Sequence, residues 1–279
     1  MAEVVAHSGL LFKTKLHVED TGGGGRPVVL IHGWPLSGES WKGQIPALEK
    51  AGYRIIAYDR RGFGQSDKPE HGYSYDSLAD DLEGVLSELN LTDVTLVGFS
   101  MGGGEVARYI SKHGEGRLHS IVFASAVPPY MLHTDGNPDG PLEKKQVAQM
   151  TKDLTVDRDG FFESFTTEFF SVGDQLKVTE EQRQAAITMC QQSSQVAALA
   201  CMASFGMTDF RDDLLKVSVP TLVLHGNGDA VVPFEGSGKR THEAIAGSQL
   251  VLLDGAPHGC NVSHEDEFNA ALLAFLQLT

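Results

Sequence analysis

The sequence predicts an α/β fold in which a mostly parallel central sheet is flanked by helices and carries an inserted helical cap. Short apolar, β-branched runs alternate with helical patterns, as a parallel sheet with crossover helices requires. One of these runs, 94–99, ends at a serine between glycines. A stretch rich in aromatic residues and methionine then interrupts the alternation, which indicates the cap.

The elements follow from periodicity and from turn residues. Residues 11–19 alternate in polarity and predict an early antiparallel strand, and the turn over 22–27 leads into a buried strand. The predicted strands cover 11–19, 27–31, 54–58, 94–99, 120–126, 220–226 and 249–253. The predicted helices outside the cap cover 40–51, 77–89 and 102–113.

The cap begins where Pro128 and Pro129 end the regular alternation. We expect a core of residues 1–128 and 213–279 and a cap of residues 129–212, which form one compact unit. Most of the large apolar cap residues should pack on the sheet, and a minority should line a pocket above the strand ends. The large apolar residues of the cap are Phe161, Phe162, Phe165, Phe169, Phe170, Met189, Met202, Phe205 and Met207.

The serine between glycines predicts a nucleophile. Gly98 and Gly102 flank Ser100 at the point where a buried strand must turn sharply into a helix. Such an elbow exposes the hydroxyl above the sheet, at the N-terminal end of the helix that starts at Met101. A tight structural turn that happens to carry serine is the alternative.

A serine nucleophile needs a base and an acid, which in such a sheet follow it in the order acid, then histidine. Asp229 lies in the loop after the strand at 220–226, and His258 lies in the loop after the strand at 249–253. Both positions are just past the carboxyl ends of strands, where open α/β sheets place their sites. We therefore predict that Ser100, Asp229 and His258 form a catalytic triad.

Other acids and histidines fit these roles less well. Asp254 lies in an Asp-Gly turn, and His264 is predicted to be a surface residue at the start of a helix. Asp59 precedes the serine in the chain and is expected to form an ion pair with the adjacent arginines. His225 lies at a strand end and is interpreted as a core group or a group behind the site.

An oxyanion formed at Ser100 needs two N–H donors. The helix start supplies the N–H of Met101, and the loop after the strand at 27–31 offers the N–H of Trp34. Gly33 permits a close backbone approach, whereas Pro35 has no N–H and biases Trp34 toward an extended backbone. The alternative for Trp34 is that it is only a core aromatic residue.

Composition narrows the class of protein. The formal net charge of −15 argues against nucleic acid and anionic membranes as partners. No apolar run is long enough for a membrane span, no secretory signal is visible, and three cysteines cannot all pair within the chain, so we expect a cytoplasmic protein. The histidines lack metal-ligand spacing, so we expect no metal cofactor. The oligomeric state stays open, and a homo-oligomer is compatible with the sequence.

Four motifs carry a family resemblance, at residues 32–36, 58–66, 98–109 and 255–259. With them the chain resembles the α/β-hydrolase superfamily, and more narrowly its cofactor-free haloperoxidase branch, also called non-haem chloroperoxidases or perhydrolases. The similarity runs from about residue 27 to residue 278 and is weakest over 132–204. The resemblance implies the α/β-hydrolase fold, the triad Ser100, Asp229 and His258, an oxyanion hole at Trp34 and Met101, and neither metal nor haem.

The function predicted from these residues is hydrolysis of a small uncharged ester through an acyl-enzyme, with hydrogen peroxide as an alternative to water. A lactam or amide hydrolase would use the same triad. A ligand-sensing protein of the same fold is the alternative from another class. Epoxide hydrolases and dehalogenases are disfavoured, because they would carry an aspartate at Ser100.

Overall fold

The computed structural model describes residues 2–8 and 12–279. The strands are β1 (Ala2–Ser8), β2 (Phe12–Asp20), β3 (Pro27–Ile31), β4 (Arg54–Tyr58), β5 (Val94–Phe99), β6 (Leu118–Ala124), β7 (Ser171–Val172), β8 (Gln175–Leu176), β9 (Thr221–Gly226) and β10 (Gln249–Leu253). The helices are α1 (Ile45–Lys50), α2 (Tyr75–Glu88), α3 (Met101–His113), α4 (Lys144–Val156), α5 (Arg158–Phe169), α6 (Glu180–Gln192), α7 (Gln195–Met207), α8 (Arg211–Leu214), α9 (Gly238–Ala244), α10 (Cys260–Ser263) and α11 (Glu265–Leu278).

Eight strands form one sheet in the order β1-β2-β4-β3-β5-β6-β9-β10. From β4 to β10 the neighbours are parallel, and β1 and β2 are antiparallel at one edge. Every residue of β5 and of β9 is buried, as expected for central strands covered by helices on both faces. The fold is the α/β architecture that the sequence predicts, and its parallel strands end at one common edge.

Three local predictions differ from the structure. The helix expected over 40–51 is instead a 3₁₀ turn at Gly38–Trp41 followed by the short α1, in which Pro46 lies near the helix start. The strand expected over 120–126 ends earlier, and Ser125 has a φ of 43°. The strand β1 was not predicted, and Leu11, the first residue of the predicted early strand, lies outside the described residues.

The inserted cap consists mainly of helices α4 to α7, which lie between β6 and β9 in the chain. Its buried aromatic side chains, such as Phe162 and Phe169, belong to the same hydrophobic core as the sheet. In the described ranges 2–8 and 12–279, none of the helices combines the length and apolarity that crossing a bilayer needs.

Candidate active site

Ser100 lies at a strained turn between β5 and α3. Its backbone has φ 53° and ψ −118°, a conformation that a non-glycine residue adopts only where the surroundings impose it. A Cβ atom at Gly98 would lie 2.5 Å from the carbonyl oxygen of Gly102, and one at Gly102 would lie 2.5 Å from that of Ile31. Only glycine therefore fits at the two flanks of Ser100.

Three side chains from separate loops form one chain of hydrogen bonds. His258 Nε2 lies 2.9 Å from Ser100 Oγ, and His258 Nδ1 lies 2.7 Å from Asp229 Oδ2. With the proton on Nδ1 donated to the carboxylate, Nε2 is free to accept the serine proton. All three side chains are buried. Burial alone would raise the pKa of Asp229, but His258 and His225 lower it to about 2.

The loop after β9 fixes the Asp229 carboxylate. Its Oδ1 accepts hydrogen bonds from the backbone N–H groups of Val231 and Val232, at 3.0 and 2.8 Å. His225 is fully buried, and its Nε2 lies 2.8 Å from the carbonyl oxygen of Val232 and 3.3 Å from Asp229 Oδ2. His225, interpreted from the sequence as a core group or a group behind the site, thus contacts both ends of this loop.

The loop after β3 lies directly beside Ser100. A Cβ atom at Gly33 would lie 3.1 Å from Ser100 Cβ and 2.8 Å from a ring carbon of Phe99. Met101 is the first residue of α3, so its N–H has no acceptor within the helix. The backbone of Gly33 and that of Met101 thus border Ser100, and Trp34 follows Gly33 in the same loop.

The side chain of Trp34 points away from the sheet and into the cap. Its Nε1 donates to the carbonyl oxygen of Ala198 at 2.9 Å, and its ring makes edge contacts with three phenylalanines. The ring centroids lie 5.2 to 6.1 Å from those of Phe161, Phe165 and Phe205. The side chain of Trp34 is therefore a core aromatic group, as the alternative from the sequence predicts. These side-chain contacts leave the backbone N–H of Trp34 unused.

A buried ionic network lies beneath this loop. Arg60 Nε lies 2.8 Å from Glu105 Oε2, and Arg60 Nη2 donates to the carbonyl oxygen of His32 at 2.8 Å. His32 Nε2 accepts from the backbone N–H of Arg60, while its Nδ1 donates to the carbonyl oxygen of Gly33 at 2.8 Å. Burial, and secondly the charge of Arg60, hold the pKa of His32 well below its usual value.

The prediction that Asp59 forms an ion pair with its neighbouring arginines is wrong. Asp59 instead accepts backbone N–H groups from Gly38 and Gln65, at 2.8 and 2.7 Å. Arg61 pairs with Asp81 on α2, as Arg60 does with Glu105 on α3. The arginines therefore bind carboxylates on distant elements, which sequence neighbours cannot reveal.

A cavity of about 300 Å³ lies above Ser100 between the strand ends and the cap. Most of its lining is apolar, and Gln146, Gln149 and Glu168 add polar atoms from helices α4 and α5. The two glutamines and Glu168 belong to no sequence motif, so the sequence alone did not identify them as residues of the cavity. The residues that line the cavity are Trp34, Ser100, Val127, Met131, Pro141, Leu142, Gln146, Gln149, Met150, Phe165, Glu168, Phe205, Ala230, Val231, Val232, Pro233 and His258.

The other acids and histidines considered lie elsewhere. Asp254 is exposed and accepts a hydrogen bond from Asn227, and the partly exposed His264 precedes α11. Cys260 is buried 3.5 Å from the hydroxyl of Ser125, and burial raises the pKa of its thiol to about 12. Over residues 2–8 and 12–279 the structure brings together no group of three or more His, Cys, Asp or Glu suited to a metal ion.

Comparisons with known proteins identify relatives along almost the whole chain. Residues 26–264 match the model of the α/β-hydrolase fold family. The chain is 44% identical over 257 residues to a non-heme chloroperoxidase of Kitasatospora aureofaciens, covering 91% of this chain and 93% of that protein. It is 36% identical over 265 residues to a bifunctional esterase/perhydrolase of Acinetobacter calcoaceticus, covering 93% and 95%.

A solved structure gives the same result. The crystal structure of a bromoperoxidase from Bacillus anthracis superimposes with a TM-score of 0.95 at 49% identity, covering 99% of both chains. The resemblance drawn from the four sequence motifs is thereby confirmed. The chain belongs to the α/β-hydrolase family, in the branch that contains the non-haem haloperoxidases and perhydrolases.

Proposed function

We propose that the protein is a serine hydrolase of carboxylic esters that works through an acyl-enzyme and also transfers the acyl group to hydrogen peroxide. The observation that carries the proposal is the hydrogen-bonded series Ser100–His258–Asp229 at the base of a largely apolar cavity. In this arrangement a base, a nucleophile and an orienting acid meet where a carbonyl group can bind. Residues 129–212 would act as the cap over that cavity.

The reaction follows from the roles of these atoms. His258 Nε2 takes the hydroxyl proton as Ser100 Oγ attacks the ester carbonyl, and the N–H groups of Trp34 and Met101 stabilise the oxyanion. His258 then protonates the departing alkoxide, which leaves the acyl group on Ser100. Asp229 holds the His258 tautomer and stabilises the imidazolium, and its lowered pKa keeps it ionised.

The acyl-enzyme can then react with either of two nucleophiles. Water gives the carboxylic acid, whereas hydrogen peroxide gives a peracid, and in both cases the proton passes through His258 to Ser100 Oγ. A released peracid oxidises halide to hypohalous acid and is itself reduced to the carboxylic acid. This route accounts for a haloperoxidase activity without a redox cofactor, and the names of the relatives support it.

The triad is tested by replacing its members. We expect Ser100→Ala, His258→Ala and Asp229→Asn each to lower the kcat/KM for p-nitrophenyl esters by about three orders of magnitude or more, and their effects not to add. Ser87→Ala, an exposed serine on α2, is the matched control and should retain full activity. Near-normal turnover by Ser100→Ala would refute the proposal, and binding of an ester without wild-type turnover would indicate a ligand sensor.

Perhydrolysis is tested on the same acyl donor with and without peroxide. Peracid should accumulate only with peroxide, and Ser100→Ala should abolish hydrolysis and perhydrolysis together, because both pass through one acyl-enzyme. Exhaustive chelation with EDTA should leave both rates unchanged. Loss of both rates under EDTA, restored by one particular metal, would contradict the cofactor-free mechanism.

A further inference from the structure

One ionisable residue of the cavity has no part in the proposed reaction. Among the residues that line the cavity, only His258 and Glu168 can ionise. Glu168 lies near the end of α5, in the cap, and its side chain is exposed. No hydrogen bond or ion pair holds its carboxylate within residues 12–279. Its charge is therefore available to whatever enters the cavity.

Glu168 also lines a second cleft, of about 520 Å³, between α4 and α5. The side chains of Met150, Phe165 and Glu168 are common to the linings of both spaces. The cleft therefore adjoins the cavity above Ser100, and these three residues lie at the boundary between the two spaces. An ester whose carbonyl lies at Ser100 and whose one end extends into the cleft must pass Glu168.

Apart from His258, the ionisable groups along this path are carboxylates. Asp153 and Asp157 line the cleft beyond Glu168, and among the residues that the structure describes neither lining contains lysine or arginine. Burial raises the pKa of Glu168, and the charge of His258 partly offsets this effect. Because Glu168 is exposed at the edge of the cavity, solvent partly screens its interaction with a second charge.

We infer that Glu168 selects substrates by charge, and that it favours esters carrying an ammonium group at the end that lies in the α4–α5 cleft. The inference rests on the proposed action of Ser100 on esters and adds the class of ester. In this role Glu168 forms a charge pair with the distant end of the substrate and takes no part in proton transfer at the carbonyl.

The experiment uses pairs of esters with the same shape and different charge. Choline butyrate and 3,3-dimethylbutyl butyrate differ only by nitrogen for carbon on the alcohol side. The methyl esters of 4-(trimethylammonio)butyric acid and 5,5-dimethylhexanoic acid differ in the same way on the acyl side. The quantity measured is the ratio of kcat/KM for the cationic ester to that for its neutral partner.

In at least one pair, Glu168→Gln should lower this ratio about threefold, as expected for loss of one exposed, partly screened charge pair. The kcat/KM for the neutral ester should stay within about twofold, since Gln keeps the size of the side chain. Glu181→Gln is the matched control, because it removes the same charge from an exposed position on helix α6. The pair that responds identifies the end of the ester that lies in the cleft.

Unchanged ratios in both pairs would overturn the inference, as would an equal fall in Glu181→Gln. If the wild-type protein hydrolysed none of the four esters, the proposed function would fail separately. In that case the inference is tested by binding. The Kd of each cationic ester and of its neutral partner is measured for Ser100→Ala and for the double variant Ser100→Ala/Glu168→Gln. A cationic-to-neutral preference that does not depend on Glu168 in this measurement would overturn it.

Discussion

The two sides of Ser100 are built by different kinds of interaction. On the sheet side, the loop after β3 is held by Arg60, Glu105 and His32 through hydrogen bonds of 2.8 to 2.9 Å. On the cap side, the same loop is held mainly by the Trp34 ring, through edge contacts with aromatic rings. The sheet side is directional and ionic, and the cap side is apolar and adaptable.

This difference separates the two requirements of the proposed reaction. Stabilising an oxyanion requires N–H groups fixed to within a few tenths of an ångström, which buried hydrogen bonds can provide. Accommodating an acyl group requires only a cavity of suitable size and polarity, which apolar side chains provide in many arrangements. Changes on the sheet side should therefore affect stability and all substrates, and changes on the cap side should affect the choice of substrate.

The largest expected effect is that of Glu105→Gln. The substitution keeps the shape of the side chain but leaves Arg60 as an uncompensated buried charge, so the free energy of unfolding should fall by about 3 kcal/mol or more. Urea denaturation followed by circular dichroism measures the change. Glu235→Gln removes a carboxylate from an exposed pair with Lys239 and should lower the free energy of unfolding far less, because solvent screens that pair. Equal costs for the two variants would show that the buried network does not hold the sheet side.

His32 should make the free energy of unfolding depend on pH. Because its pKa in the folded protein lies well below that in the unfolded chain, the unfolded state binds a proton first as the pH falls. Stability is then complete above the unfolded pKa of about 6.5 and falls below it by up to about 1.4 kcal/mol per pH unit.

This slope is measured by urea denaturation between pH 8 and pH 5. His32→Gln should lower stability at every pH but remove that part of the slope. His133→Gln, at an exposed position, is the control and should leave the slope unchanged. If His32→Gln kept the wild-type slope of stability against pH, the slope could not be due to His32.

A smaller effect is expected from His225, which contacts the loop that carries Asp229. We expect His225→Gln to lower kcat about tenfold with little change in KM, because the acid is less well oriented and ester binding is untouched. In the Asp229→Asn background the substitution should have almost no further effect. His242→Gln, on α9, is the control. A further tenfold loss in the double variant would mean that His225 acts other than through Asp229.

On both sides, the sequence predicted features that depend on local signals and missed contacts between distant elements. The elbow at Ser100 and the loops of Asp229 and His258 were predictable, because glycine spacing and strand ends are local signals. The partners of Arg60 and Arg61 were not, since Glu105 and Asp81 lie on other elements. Glu168 was missed for a similar reason: which side chains of α5 border the cavity depends on how the cap sits on the sheet.

The smallest expected effect concerns Phe165, which lines both the cavity and the cleft and lies 5.2 Å, centroid to centroid, from the Trp34 ring. Phe165→Leu should widen the cavity and raise the ratio of kcat/KM for octanoate over acetate p-nitrophenyl esters about threefold, at a cost of about 1 kcal/mol in stability. Phe162→Leu is the matched control, because Phe162 is fully buried on the same helix and stacks against Arg158. It should lower stability to a similar extent and leave the chain-length ratio unchanged. If both variants shifted the ratio equally, substrate choice would depend on the stability of the cap as a whole and not on the side chains that face Ser100.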